Sequence, residues 1–167
     1  NLMDRLCEDL DIFSINMVLV DKVLAELQTN WMSKRTQSGY RLFLEQGLIN
    51  VEMPLSETMF QTTRGTGLLH MDEIERSHNR LSENKVDLTP VNKMIFEHYG
   101  VEHRYASTLN NHASQFDGIF LFILNNSDER VAKSVNRCNF YLPHLANLVN
   151  VSRPFLLLKA RFNAVFE

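Results

Sequence analysis

Residues 101–150, VEHRYASTLNNHASQFDGIFLFILNNSDERVAKSVNRCNFYLPHLANLVN, contain the changes of periodicity that decide the fold. From Val101 to Leu109 the side chains alternate. His103, Tyr105, Ser107 and Leu109 fall on one side and Arg104, Ala106 and Thr108 on the other, the period of two that a pleated strand imposes. Asn110 to Gln115 is polar and predicts a turn. Asp117 to Leu124 is almost continuously apolar between Gly118 and Asn125–Asn126, which predicts a central antiparallel strand covered on both faces. Beyond the Asn-Asn-Ser-Asp group the period becomes helical. Val131, Val135, Cys138, Leu142, Leu145 and Val149 recur at gaps of four and three, the spacing of a coiled-coil seam. A second stripe of Leu145, Leu148, Phe155, Phe162 and Phe166 runs on, with Ser152 and Lys159 interrupting it. With no closing glycine or polar tail, this helix is expected to continue in a longer protein. Pro143 and Pro154 are expected to kink it or split it.

Upstream, Leu2, Leu6 and Leu10 with Met3 and Cys7 predict an opening helix that ends near Asp11. Ile15, Met17 and Leu19 alternate with Ser14, Asn16, Val18 and Val20, a strand buried largely on both faces. Val23 to Met32 fits either a second strand or a helix. Tyr40, Phe43, Leu44 and Leu48 predict a helix closing near Gly47, and Pro54 opens another through Phe60. Leu68 to Asp72 reads as a short strand leading into a charged segment, helix or loop, that ends near Asp87. Thr89 and Pro90 are N-cap and first-turn signals for a helix bearing Val91, Met94, Ile95 and Tyr99 until Gly100. The order is α+β: an antiparallel sheet flanked by helices, PAS/GAF-like, with a long C-terminal helix. Residues 1–126 are expected to form the sensor body and residues 127–167 its dimerisation or signalling helix within the same domain.

A chain of 167 residues, 44% hydrophobic, suits one core. Its net charge of -3 and scattered Lys and Arg argue against direct duplex binding. The longest apolar run, Ile119 to Leu124, is far short of the ~20 residues that span a bilayer, so no membrane partner is expected. Cys7 and Cys138 lie in apolar helical settings, reading as reduced core thiols and a cytoplasmic location.

Six histidines raise the question of a metal. Neither His70, Asp72, Glu73 and His78 nor His98 with His103 has a metal-ligand spacing, and no metal or cofactor is expected. His144 reads as a helix-face residue. There is no Gly-x-Ser-x-Gly, and both cysteines sit in helical stripes, so no catalysis is expected. Arg64-Gly65-Thr66-Gly67 lacks the Lys and Ser or Thr of a phosphate loop and reads as a surface turn. Trp31, Tyr40, Phe43, Phe60, Tyr99 and Tyr105, joined by His103 and Ser107 on the strand face of Tyr105, either line a small-molecule pocket or fill the core. Val135, Leu142, Leu145, Val149 and Leu156 are the candidate dimer contacts, because the stripe persists over ~40 residues, roughly 60 Å of helix, longer than one domain covers.

Several segments then combine into a resemblance. His98-Tyr99-Gly100-Val101, Phe116-Asp117-Gly118, the acidic helix start and Leu142-Pro143-His144-Leu145-Ala146 resemble the N-terminal sensor region of LuxR-type transcriptional regulators. The stretch from Arg153-Pro154-Phe155 through Arg161-Phe162 to Val165-Phe166 is similar to the helix leading to their next module. The resemblance implies a PAS- or GAF-like domain ahead of a helix-turn-helix, with DNA contacted only by a domain absent from this chain. It implies that this part binds a small molecule or a partner and sets the state of a homodimer. The aromatic and acidic constellation of acyl-homoserine-lactone sensors is not placed in this sequence, so that ligand is not implied. The competing readings are a ligand-free dimerisation scaffold and the input domain of a signalling kinase or cyclic-nucleotide enzyme.

Overall fold

Strand and helix signals translate into the elements of a computed structural model that describes residues 2–21, 26–63, 67–109, 115–124 and 127–166. The chain runs α1 (Leu2–Leu10), β1 (Ser14–Asp21), β2 (Glu26–Met32), α2 (Lys34–Glu45), α3 (Ile49–Glu52), α4 (Leu55–Thr63), β3 (Leu69–His70), α5 (Met71–Leu81), α6 (Thr89–Tyr99), β4 (Val101–Thr108), β5 (Gln115–Leu124) and α7 (Asp128–Phe166). The strands form one sheet in the order β2-β1-β5-β4-β3, with every neighbouring pair antiparallel. This is the expected α+β, PAS/GAF-like architecture with its long C-terminal helix.

β5 lies at the sheet's centre, which is why its sequence is apolar on both sides. Ile119 and Ile123 point to one layer with Ile15 and Met17 of β1, while Phe120 and Phe122 point to the other. The first layer is closed by α1, through Met3, Cys7 and Leu10, and by α7, through Val131, Cys138, Leu145 and Val149. The second is closed by α4, α5 and α6, through Leu55, Met59, Ile74, Val91 and Ile95. Each fully buried aliphatic side chain here stabilises the fold by about 1.5–3 kcal/mol.

Of the segment left open between strand and helix, Glu26–Met32 is strand β2, paired from Asn16↔Met32 to Asp21↔Glu26 with a bulge between Leu19 and Val20, and residues 23–25 lie outside the described residues. The helix after Thr89 and Pro90 forms as read, and Gly100 closes it at φ 69 in the left-handed region where glycine is unstrained. Thr89 itself does not cap it. Leu88 holds the N-cap position without a side-chain cap bond, and Asp87 just before it accepts the Thr89 N–H at 2.9 Å; hydrogen bonds from the Thr89 hydroxyl first and its N–H second hold the Asp87 carboxyl below the usual range.

The assigned helix α7 runs unbroken through both prolines rather than splitting. Pro143 and Pro154 both sit on the exposed side, so the carbonyl each leaves without a backbone partner can turn to water. Its seam is used by the domain itself. Leu145 and Val149 are buried, and Val135 and Leu142 half-buried, against the sheet layer of Ile15, Met17, Ile119 and Ile123. A helix crossing a sheet needs the same three-and-four spacing as a coiled coil, so spacing alone did not distinguish the two. The side chain of Leu156 lies outside the described residues, as do Arg64 to Thr66 and the turn over residues 110–114.

Candidate functional site

On the side of the sheet away from α7, the covering helices do not close completely. They leave a cavity of about 100 Å³ between β1, β5 and β4 below and α2, α3, α4 and α6 above. One water needs about 10–15 Å³ measured this way, so the space admits an organic group rather than a lone solvent molecule. Its floor is Asn16, Val18, Phe120, Phe122 and Arg104, and its walls include Tyr40, Phe43, Ile49, Ile95 and Tyr99. Met32, Met53, Met59, Met71 and Met94 all reach it. Unbranched thioethers adapt to irregular outlines, so this lining can remould around an occupant.

Polar groups gather at two margins. At the β1 margin, Ser14, Ser33, Thr36 and Asn16 form a buried network. Ser14 Oγ lies 2.7 Å from Ser33 Oγ and 2.9 Å from Thr36 Oγ1, and Thr36 Oγ1 donates to Asn16 Oδ1 at 2.8 Å. Ser14 Oγ also lies 3.3 Å from Asn16 Oδ1, and Thr36 Oγ1 3.3 Å from the Ser33 carbonyl, so the hydroxyls share acceptors within one network. With Thr36 and Ser14 both directed at its carbonyl oxygen, Asn16 has its amide N–H groups to offer an occupant.

The β4 margin, two strand spacings or roughly 10 Å across the sheet, carries a charge. Arg104 is 5% exposed. Its Nε and Nη2 donate to Asn92 Oδ1 at 3.1 and 2.8 Å, and its Nη1 donates to the Glu52 carboxylate. The Asn92 bonds tie β4 to α6 and the ion pair ties it to α3, neutralising the guanidinium before any ligand arrives. Met71, Ile95 and Arg104 also line an open groove on the outer surface, with Lys93 and Phe96.

The approach of α2 to α6 depends on Gly39. A Cβ there would overlap the Tyr99 hydroxyl and ring. The absence of that carbon lets Tyr99 donate to the Thr36 carbonyl at 3.0 Å while its ring packs 5.6 Å from Phe13. Burial pushes the Tyr99 phenol above its ordinary pKa.

Of the expected pocket residues, Tyr40, Phe43 and Tyr99 meet at this cavity. Trp31 and Tyr105 pack instead with the α7 layer. His103 and Ser107 share the parity of Tyr105 on β4 and do not line the cavity. His103 stands 6.0 Å from the His70 ring, and Ser107 donates to the Thr108 carbonyl at 3.3 Å. A register shift between Val101 and His103 places Val101, Arg104 and Ala106 on the side covered by α4, α5 and α6. Phe60 lies on α4, which presents Ser56 and Met59 to the cavity. The aromatic criterion missed the methionines, Asn16, Thr36 and the Arg104–Glu52 pair. Arg104 shares β4 with the equally charged Glu102 and stands between His103 and Tyr105, so charge within the strand did not single it out.

His78 and the two cysteines are buried away from this cavity. His78 is buried, with Nδ1 2.9 Å from Thr58 Oγ1 and Nε2 3.0 Å from the Asn84 carbonyl, clamping α5 to α4. Burial pushes the Cys7 thiol up to about 11 and the Cys138 thiol to about 12. Among the described residues, no three His, Cys, Asp or Glu side chains converge as metal ligands, and no helix is long and apolar enough to cross a membrane.

No protein-family model matches the chain. No curated protein matches it either. Among solved structures it is similar to the VqsR LBD domain from Pseudomonas aeruginosa, at 13% identity over 99% of this chain and 85% of that one, with a TM-score of 0.44.

Proposed function

We propose that this chain is the sensor domain of a LuxR-type transcriptional regulator. It binds a small, uncharged, mostly apolar molecule between sheet and helices, and passes occupancy through α7 to a DNA-binding module outside the chain. The observation that carries the sensor reading is the cavity itself, apolar and methionine-lined with hydrogen-bonding groups at two margins, as small-molecule sites are built. An uncharged occupant follows from Arg104. Glu52 already matches its charge, so an anion would have to displace a buried carboxylate.

A route to α7 exists through the sheet. Phe120 and Phe122 touch the cavity, and Ile119 and Ile123 of the same strand touch the α7 layer. On β1, Asn16 and Val18 face the cavity while Ile15 and Met17 face α7. A close-packed strand cannot shift one set of side chains without moving the other. Coupling of about 1–3 kcal/mol is typical of such linkage.

The test compares two probes of one skeleton: uncharged N-phenyl-1-naphthylamine and its sulfonate, 8-anilinonaphthalene-1-sulfonate. The uncharged probe should gain fluorescence on binding, the sulfonate should bind more weakly, and Ser56→Phe at the cavity wall should abolish the gain. Equal binding to wild type and Ser56→Phe, or no binding by the uncharged probe, would refute the reading.

A further inference from the structure

Four helices roof the cavity, and α3 is built unlike the other three. It has four residues, with no side-chain bond at its N-cap Leu48 and no buried residue. α2, α4 and α6 each bury two residues or more. A single turn gains too few backbone bonds to hold itself together, so the order of α3 depends on what it touches. What it touches is the cavity, which Ile49, Glu52 and the adjoining Met53 line. Met53 is also 46% exposed, so one side of the cavity reaches solvent beside this helix.

The span is anchored at both ends and tethered at one point. Leu48 and Leu55 are 8% and 0% exposed, and none of the residues between them is buried. Pro54 has no N–H, so the backbone ladder lacks a rung between α3 and α4. Among the described residues, the side chains of α3 make one polar bond to another element, between Glu52 and Arg104. The two halves of that bond differ. Asn92 holds the Arg104 guanidinium through Nε and Nη2 independently of Glu52, whereas Glu52 has no second partner among the described residues.

We propose that α3 is a lid over the cavity and the Glu52–Arg104 pair its latch. Residues 49–54 lift away from the sheet while Arg104 stays in place, opening a path for a small uncharged molecule, and then close over it. The pair suits this role because parting it by opening strands neither charge. Glu52 swings into water, and Arg104, which also lines the open groove on the outer surface, keeps Asn92 and meets the water that enters. A mutation that removes one partner leaves the other charge dry, which is the costly case. An occupant touches Ile49 and Met53 only in the closed form, so binding favours closure. The use of the lid rests on the sensor reading, whereas its motion does not.

Two measurements without ligand test the motion. Hydrogen exchange of the wild-type chain should find the Val51 and Met53 amides, bonded to the Leu48 and Ile49 carbonyls, exchanging well before those of α4 and α6. Hydrogen peroxide, with mass spectrometry as the readout, should oxidise Met59 of the cavity before Met3 and Met17 of the opposite layer, although all three are buried. Glu52→Gln should speed the Met59 reaction roughly tenfold and leave Met17 unchanged. An equal rise at Met17, as general loosening would give, overturns the latch, and so does no rise at Met59. Wild-type Val51 and Met53 amides as slow as those of α6 overturn the lid. In stopped-flow fluorescence, Glu52→Gln should quicken both entry and exit of N-phenyl-1-naphthylamine, and unchanged rates count against the proposal. If the probe binds neither protein the sensor reading fails, while selective oxidation of Met59 would still support the lid.

Discussion

Tyr99 reaches the carbonyl of Thr36 over Gly39, whose missing side chain is the space the Tyr99 hydroxyl occupies. Three residues of two helices are thereby fixed at the cavity wall. Gly39→Ala must displace the phenol or push α2 outward, an overpacking cost of about 1–3 kcal/mol. Urea unfolding should show that loss. Binding of N-phenyl-1-naphthylamine should change with it, whereas a stability equal to wild type would mean that the two helices do not meet as described.

The Arg104–Glu52 pair should be costly to break from one side. Glu52→Ala leaves a buried, unmatched guanidinium, at about 3–5 kcal/mol. Replacing both partners, Arg104→Met with Glu52→Leu, should recover most of the loss in a double-mutant cycle. Additive losses would show that the two groups act independently.

Leu145→Ala and Val149→Ala test the seam of α7. Leu145→Ala should destabilise the domain by about 2–5 kcal/mol, with Val149→Ala less severe because a smaller side chain is cut. A stability unchanged in Leu145→Ala would mean that α7 does not rest on the sheet.

His70 gives the fold a pH dependence of defined sign. Burial is the main cause lowering its pKa below 6.5; His103 and Arg104 act in the same direction, while Asp72 and Glu73 oppose them. Near its ordinary pKa the unfolded chain therefore binds more protons than the folded one, and stability rises with pH. The loss begins as pH falls through about 6.5 and levels off below the folded pKa. Subtracting the stability profile of His70→Gln from that of wild type should isolate this slope, and a flat difference would exclude it.

Both thiols should be inert in the native protein. Cys7 and Cys138 are buried and held protonated, with pKa values of about 11 and 12. Iodoacetamide followed by mass spectrometry should find neither labelled until denaturant is added. Rapid native labelling of Cys138 would mean that α7 detaches from the sheet.

The sequence is most legible where one local rule acts alone. Alternation fixes β4, the unbroken apolar run fixes β5, and the left-handed Gly100 ends α6 where a glycine should. β2 stayed open because Leu24, Ala25 and Leu27 suit a helix as well as a strand, and pairing with β1 decides the matter. The pocket was legible only in part. Parity alone groups His103, Tyr105 and Ser107 on one side of β4, but it does not say which layer of helices that side meets. α7 was misleading for a related reason: it is apolar on two sides, and only the packed structure shows which side the sheet consumes.

Five thioethers around one small space also bear on selectivity. Their rotamers can absorb differences in outline from one guest to the next. Under the proposed sensor role, discrimination by shape among related compounds is therefore expected to be lax.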